Sequence, residues 1–236
     1  MDQPLHVDAM CLLPDDAAHH IAHVLRMQTG QQIILFNGQG GQYDAEILRI
    51  NKHNVEVQVI AHLDEERESH LDITLAQGIS RGQHMDYTLQ KAVELGVKQI
   101  VPVFSEHSSV RLNRDRQEKR YQHWRRIIIS ACEQCGRNRL PVLTHTETLA
   151  DWLDDDNNDL KIILHPVTTS RLSQLDKPRH SLTLLAGPEG GFADNEIIHA
   201  QQKGYQPVAL GPRILRTETA ALAAISACQA LWGDMC

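Results

Sequence analysis

The residues best suited to chemistry sit in two glycine-bearing stretches near the C-terminus. In SLTLLAGPEGGFADNEI an apolar run leads straight into Gly187-Pro188-Glu189-Gly190-Gly191, and a segment that reads as a helix follows from Asp194. Three glycines around a proline let backbone amides and carbonyls approach a ligand closely, because no Cβ stands in the way. A tight strand-to-helix turn alone accounts for one or two of them. The G-x-G-x-x-G spacing of a dinucleotide site is absent, and no Gly-Lys-Ser/Thr follows to make a phosphate loop. In VALGPRILRTETAALAAISACQAL, Leu210-Gly211 ends a second apolar run, and a loop carries Arg213 and Arg216 up to Thr217, which can cap a helix. The alanines between 220 and 230 read as close helix packing. Two arginines beside a loop do not, because a guanidinium is built to hold an anion.

The elements that must position these stretches alternate. LDITLAQGI, VKQIVPVF, VLTHT, KIILHP, SLTLLAG and QPVALG read as strands. GQHMDYTLQKAVELG, a long basic segment from about Asn113 to Gln134, and runs from Glu147, Asp194 and Thr217 read as helices. Alternating strand and helix means an open, mainly parallel α/β sheet, and such sheets bind ligands beyond the carboxyl ends of their strands. Those ends carry Ser80-Arg81-Gly82, His165-Pro166, Gly187 to Gly191, and Gly211 to Arg216. Residues 1–68 follow a different grammar. A short helix over 15–26, with Asp15 or Asp16 as its cap, precedes β-branched runs separated by NGQGG and NKHN, so 31–63 reads as a meander or small barrel. The charged DEERES (64–69) reads as the linker to a second domain, 69–236.

The formal net charge is −7, but it is unevenly spread. Residues 1–70 hold four Lys/Arg against eleven Asp/Glu, while 107–140 hold nine cations (Arg111, Arg114, Arg116, Lys119, Arg120, Arg125, Arg126, Arg137, Arg139) against three acids. A basic patch in an acidic chain is the footprint of a local phosphate contact; a solvated helix face explains it equally well on charge alone. Five scattered cysteines make no disulfide framework and fit a reducing, cytoplasmic setting. The first residues lack a basic region followed by an apolar run, so no secretory signal is expected, and no stretch suits a membrane helix. Cys132 and Cys135 have neither a second C-x-x-C nor a spaced His pair, so no metal site is expected.

GPEGG followed by LGPRILRTETAALAAI resembles the C-terminal signature of the SPOUT methyltransferases. With QGISRGQHMDYTLQKAVELGVKQIVPVFSEHSSV, ACEQCGRNRLP and the N-terminal HHIAHVLRMQTGQQIILFNGQGGQYDAEI, it is similar more narrowly to the RsmE family of 16S rRNA uridine-N3 methyltransferases, over nearly the whole chain. The resemblance implies a SPOUT-type α/β domain with a trefoil knot, preceded by a small PUA-like β-barrel. It implies S-adenosylmethionine bound in the knot, 16S rRNA within the 30S subunit as substrate, and a homodimer with each active site near the subunit interface. Carried onto this sequence, the cofactor walls are Leu164-His165-Pro166, Gly187-Pro188-Glu189-Gly190-Gly191, Leu210-Gly211 and Ile214-Leu215, with Arg216 next to the last. Family members often begin with a basic, aromatic segment, whereas this chain begins MDQPLHVDAM.

The chemistry sets requirements. Uracil N3 is a poor nucleophile until its proton leaves, and the charge then spreads onto the flanking carbonyls. Arg216 is the first choice to stabilise that charge without losing a proton itself. Glu133 and Glu189 are candidates for the proton acceptor, and Arg81, Arg137 and Arg139 for substrate phosphate. Two other readings remain open: a SPOUT enzyme with another target, such as a tRNA ribose 2′-O-methyltransferase, and an RNA-binding protein without catalysis.

Overall fold

In β4 (Val55–Leu63) every second residue at first, Val55, Val57 and Val59, is fully buried, the period-two signature of a strand with one face on a core. The computed structural model describes residues 4–51, 54–108 and 114–235 and divides the chain into two compact units. The first comprises 1–68 together with 136–140. Its antiparallel sheet has the order β1-β4-β3-β2, from β1 (Met10–Leu12), β2 (Gln32–Leu35), β3 (Gln42–Ile50) and β4. The meander expected at 31–63 is therefore present. A three-residue edge strand at 10–12, too short to show a pattern, joins it by pairing with Glu56–Gln58. A short helix α1 (Asp15–His19) continues as a π turn over His20–Val24. It starts from Pro14 without a side-chain cap. Asp15 and Asp16 fall instead in the first turn, where their charge meets the exposed amide ends.

The five residues 136–140 return to this first unit, and charge explains why. The Arg137 guanidinium donates to both carboxylate oxygens of Glu68, and the side chains are 4% and 11% exposed. Arg139 donates twice to Glu66, each bond 3.0 Å long. Asn138 Nδ2 donates to the Glu65 carbonyl at 2.9 Å, and Arg67 Nη1 to the Gly136 carbonyl at 2.8 Å. The acidic run that reads as a linker thus supplies the counter-charge for a basic segment from elsewhere in the chain. A domain from 69 to 236 without interruption needs that correction: its segment 136–140 groups with the first unit.

The second unit carries a seven-stranded sheet in which every pairing is parallel, with the order β11-β9-β10-β5-β6-β7 and β8 beside β6. Its strands are β5 (Asp72–Gly78), β6 (Gln99–Phe104), β7 (Val142–Leu143), β8 (Glu147–Thr148), β9 (Leu160–Leu164), β10 (Ser181–Ala186) and β11 (Gln206–Val208). The central β5 and β10 are buried on both faces, which is why they read as unbroken apolar runs. Helices α2 (Gln83–Glu94), α3 (Arg114–Cys135) and α6 (Thr217–Trp232) pack as one group, with α6 against β5 and β10. The pair α4 (Leu149–Asp155) and α5 (Asp194–Gln202) covers the face made by Ala76, Val101, Val103, Ile163 and Leu185. Before β9 and β11 the Tyr205 hydroxyl donates to Asp156 at 2.6 Å and accepts from Trp152 Nε1 at 3.0 Å. Burial and the Asp156 carboxylate push the phenol pKa far up, so it remains a neutral tie.

No helix among the described residues is long and apolar enough to cross a membrane. Among them, no three His, Cys, Asp or Glu side chains are grouped to hold a metal. Arg111, one of the nine basic residues of 107–140, lies outside the described residues.

Candidate functional site

The carboxyl ends of β9, β10 and β11 open onto one cavity of about 610 Å³, in the range of sites for a single small organic ligand. It is formed wholly within the second unit. All twelve residues expected at the cofactor line it: Leu164, His165 and Pro166 after β9, Gly187 to Gly191 after β10, and Leu210, Gly211, Ile214 and Leu215 after β11. Arg216 joins them at the start of α6. Such walls meet because parallel strands end together and each loop then turns over the sheet edge.

Two arrangements hold the cavity loops. The Gly191 N–H donates to the Pro188 carbonyl at 2.9 Å, closing a turn in which Gly191 takes φ +70°, a value that side chains disfavour. Behind the turn, a Cβ on Gly78 would stand 2.5 Å from both N and Cδ of Pro188, so β5 touches the loop backbone directly. Gln77, fully buried, donates through Nε2 to the Gly78 carbonyl (3.0 Å) and to Thr217 Oγ1 (3.1 Å), and the Thr217 hydroxyl donates to the Gly187 carbonyl. One buried glutamine therefore ties β5, the glycine loop and the first turn of α6. Its Oε1 has no hydrogen-bond partner among the described residues. Thr217, expected to cap α6, serves this tie instead; the cap position is Arg216, and no side chain caps the helix.

The walls combine bare backbone with charged side chains. Backbone is bare at Gly211, where φ is +100° and a Cβ would meet nothing within 4 Å. Glu189 and Glu218 stand in the wall together with Arg213 and Arg216, so a ligand meets both signs of charge there. Glu218 pairs with His84 Nδ1 at 3.2 Å, and Glu189 accepts the Arg81 backbone N–H at 2.8 Å. Arg216 makes an ion pair with neither carboxylate among the described residues, and its side chain stays exposed in the wall. Gly190 presents its backbone differently. A Cβ there would approach the His107 Cβ at 3.0 Å, and His107 Nδ1 lies 3.1 Å from the Gly190 carbonyl. The missing side chain at Gly190 thus lets the loop after β6 approach the cavity wall closely.

Comparison with known proteins agrees with this geometry. An RNA methyltransferase domain family matches residues 67–229, and an RNA methyltransferase PUA domain family matches 13–60. Ribosomal RNA small subunit methyltransferase E of Buchnera aphidicola (Schizaphis graminum strain) is 38% identical over 98% of this chain and 94% of its own length. The chain belongs to the ribosomal RNA small subunit methyltransferase E family. The Bacillus subtilis methyltransferase E is 30% identical over 90% of this chain and 86% of its own. The crystal structure of the Neisseria gonorrhoeae methyltransferase E, bound to S-adenosylmethionine, superposes with a TM-score of 0.93 at 40% identity, covering 100% of this chain and 98% of that one. A Legionella pneumophila methyltransferase, also in complex with S-adenosylmethionine, gives 0.96 at 40% identity, covering 99% and 96%.

Within this chain the remaining expected residues fall in three places. Arg81 is exposed at the rim, its backbone held by Glu189. Glu133 is exposed on α3, outside the cavity wall. Arg137 and Arg139 are in the first unit, engaged by Glu68 and Glu66. For Arg137 this corrects the expectation of a phosphate contact: its guanidinium is buried and both its bonds to Glu68 are made inside the protein. Arg213, one of the two loop arginines picked out in the sequence, also lines the cavity, as do His84 and Glu218, which were not assigned to it from sequence. Only their nearness to strand ends pointed there.

Proposed function

We propose that this chain methylates N3 of one uridine in the RNA of the small ribosomal subunit, with S-adenosylmethionine as donor. The observation that carries the reading is the convergence of all twelve expected residues on one cavity, in a chain alike over its full length to a methyltransferase E crystallised with that cofactor. When bound, the cofactor supplies an electrophilic methyl group on a sulfonium. The protein's part is to bind, orient and keep charge in place. The loops Gly187 to Gly191 and Leu210-Gly211 would hold the donor, with glycine backbone lining the cavity. Fixing the uracil beside it provides much of the rate, since the two reactants no longer have to find each other. Arg216, at the mouth of α6, stabilises the negative charge that reaches the uracil carbonyls as the N3 proton leaves. Glu189 is the expected acceptor already in the wall; Glu133 would join the site only from a second copy of the chain, as the family's homodimer implies. The uridine must turn out of its stack to be reached. The family's trefoil knot belongs to the same reading, and the Ala209 N–H bond to the Ser170 carbonyl (3.0 Å) supports a close crossing of the loops after β9 and β11.

The test is methylation of 16S rRNA, naked and in 30S particles, with the product nucleoside mapped. Formation of 3-methyluridine at a single position is expected. A 2′-O-methyl nucleoside, or no methyl transfer to either substrate, would refute the proposal.

A further inference from the structure

Helix α3 carries six Lys/Arg and three Asp/Glu, a net +3, which leaves −10 for the rest of a chain whose total is −7. Its residues sort sharply around the axis. Trp124, Ile128, Ala131 and Cys132 are buried against the second unit, whereas Arg116, Lys119, His123 and Arg126 are exposed. The spacing of these four is three, four and three residues, so at 3.6 residues per turn they occupy a sector about 80° wide, opposite the buried face. At ~1.5 Å rise per residue the stripe is about 15 Å long. The acids Asp115 and Glu118 fall to one side of it.

The stripe is tied to the rim of the cofactor cavity. His123 Nε2 lies 2.8 Å from Asp86 Oδ2 in the first turn of α2, and His84, one residue before Met85 in that turn, lines the cavity. The loop that leads toward α3 carries His107, whose Nδ1 meets the Gly190 carbonyl of the cavity wall. The stripe is thus linked through α2 to the wall of the cavity into which a base must be inserted.

We propose that the outward stripe of α3, Arg116, Lys119, His123 and Arg126, is the track on which the phosphate backbone of the substrate RNA lies beside the cavity. The inference rests on the rRNA methyltransferase reading above and gives it an RNA-binding surface distinct from Arg137. Arg116, Lys119 and Arg126, repeated along one helix face, neutralise phosphates without reading sequence, and His123, held by Asp86, lies among them. The target base would be selected at the cavity, and the stripe would set affinity and register.

The experiment compares the full-length protein with the triple variant R116Q/K119Q/R126Q, and with K177Q/R179Q/K203Q, which removes the same charge elsewhere on the surface. Binding to a 16S rRNA fragment is measured from low to moderate salt, alongside calorimetry with S-adenosylmethionine and methyl transfer by the wild type. Each phosphate contact contributes about 0.7 to 0.9 to the slope of log affinity against log salt. The stripe variant should lose about 2 to 3 from that slope and bind at least tenfold more weakly at low salt, with unchanged cofactor affinity. The control triple should keep the wild-type slope. An unchanged slope in the stripe variant, or an equal fall in the control, would overturn the proposal. So would weakened binding to 30S particles with normal binding to naked RNA, since that outcome assigns the stripe to a protein partner. A wild type that binds cofactor but methylates no small-subunit RNA sinks the underlying reading instead, and is told apart by the methyl-transfer arm.

Discussion

Replacing Arg137 with alanine should cost stability, not RNA affinity, and the size of the effect follows from its surroundings. The guanidinium is 4% exposed and makes two parallel hydrogen bonds to Glu68, itself 11% exposed. Removing one partner of such a pair leaves the other charge buried and uncompensated, a loss of about 3 kcal/mol or more. That corresponds to a change on the order of 100-fold in the opening equilibrium of the first unit. Lysine should rescue little, because an ammonium cannot reproduce two parallel bonds to one carboxylate. The assay is amide hydrogen exchange in β3 and β4, which reports the opening of this unit separately from the parallel sheet. Glu68→Gln should produce a loss of similar size, and the double variant should cost less than the sum of the two. RNA binding by the folded fraction should keep its salt slope. Destabilisation below about 1 kcal/mol, together with a slope reduced by about 1, would refute the reasoning and return Arg137 to the phosphate contacts.

Two further substitutions test the cavity. Gly78→Ala places a Cβ 2.5 Å from the backbone nitrogen of Pro188, so the glycine loop must shift; overpacking of this kind costs about 1 to 3 kcal/mol. Calorimetry should show S-adenosylmethionine affinity falling by roughly 10- to 100-fold in step with that range, and wild-type affinity would mean that the loop does not hold the cofactor. Arg216→Ala should leave cofactor affinity within a few-fold while lowering kcat on saturating RNA by about 100-fold or more, the scale of losing one preorganised charge from an anionic transition state. Turnover close to wild type would remove Arg216 from the chemistry.

The cavity was legible in the sequence for a physical reason. Glycines that must leave space free, and strand ends that must converge, are local constraints, so Gly187 to Gly191 and Gly211 could be placed without knowing the fold. The parallel sheet was legible likewise, because strands buried on both faces need unbroken apolar runs. What escaped was held by long-range pairing. The run Glu65, Glu66 and Glu68 looks like a linker because its partners, Arg137, Asn138 and Arg139, come about 70 residues later. Charge patterning cannot reveal a pair whose members are brought together only by folding; it registers the two runs as an acidic linker and a basic patch. Gln77 escaped for the same reason. A lone glutamine in an apolar strand looks like an interruption, yet its amide reaches the Gly78 carbonyl and the Thr217 hydroxyl, which itself holds the Gly187 carbonyl. This also explains why Thr217 does not cap α6: its hydroxyl has a better use inside the site, where a buried carbonyl left unpaired would cost about 1 to 3 kcal/mol. Local rules therefore identified the strand-end loops, the family resemblance implied their ligand, and the tertiary structure identified what keeps those groups in place. The charge proposed to meet the reacting base is Arg216, which lines the cavity while Glu218 pairs with His84 and Glu189 accepts the Arg81 amide.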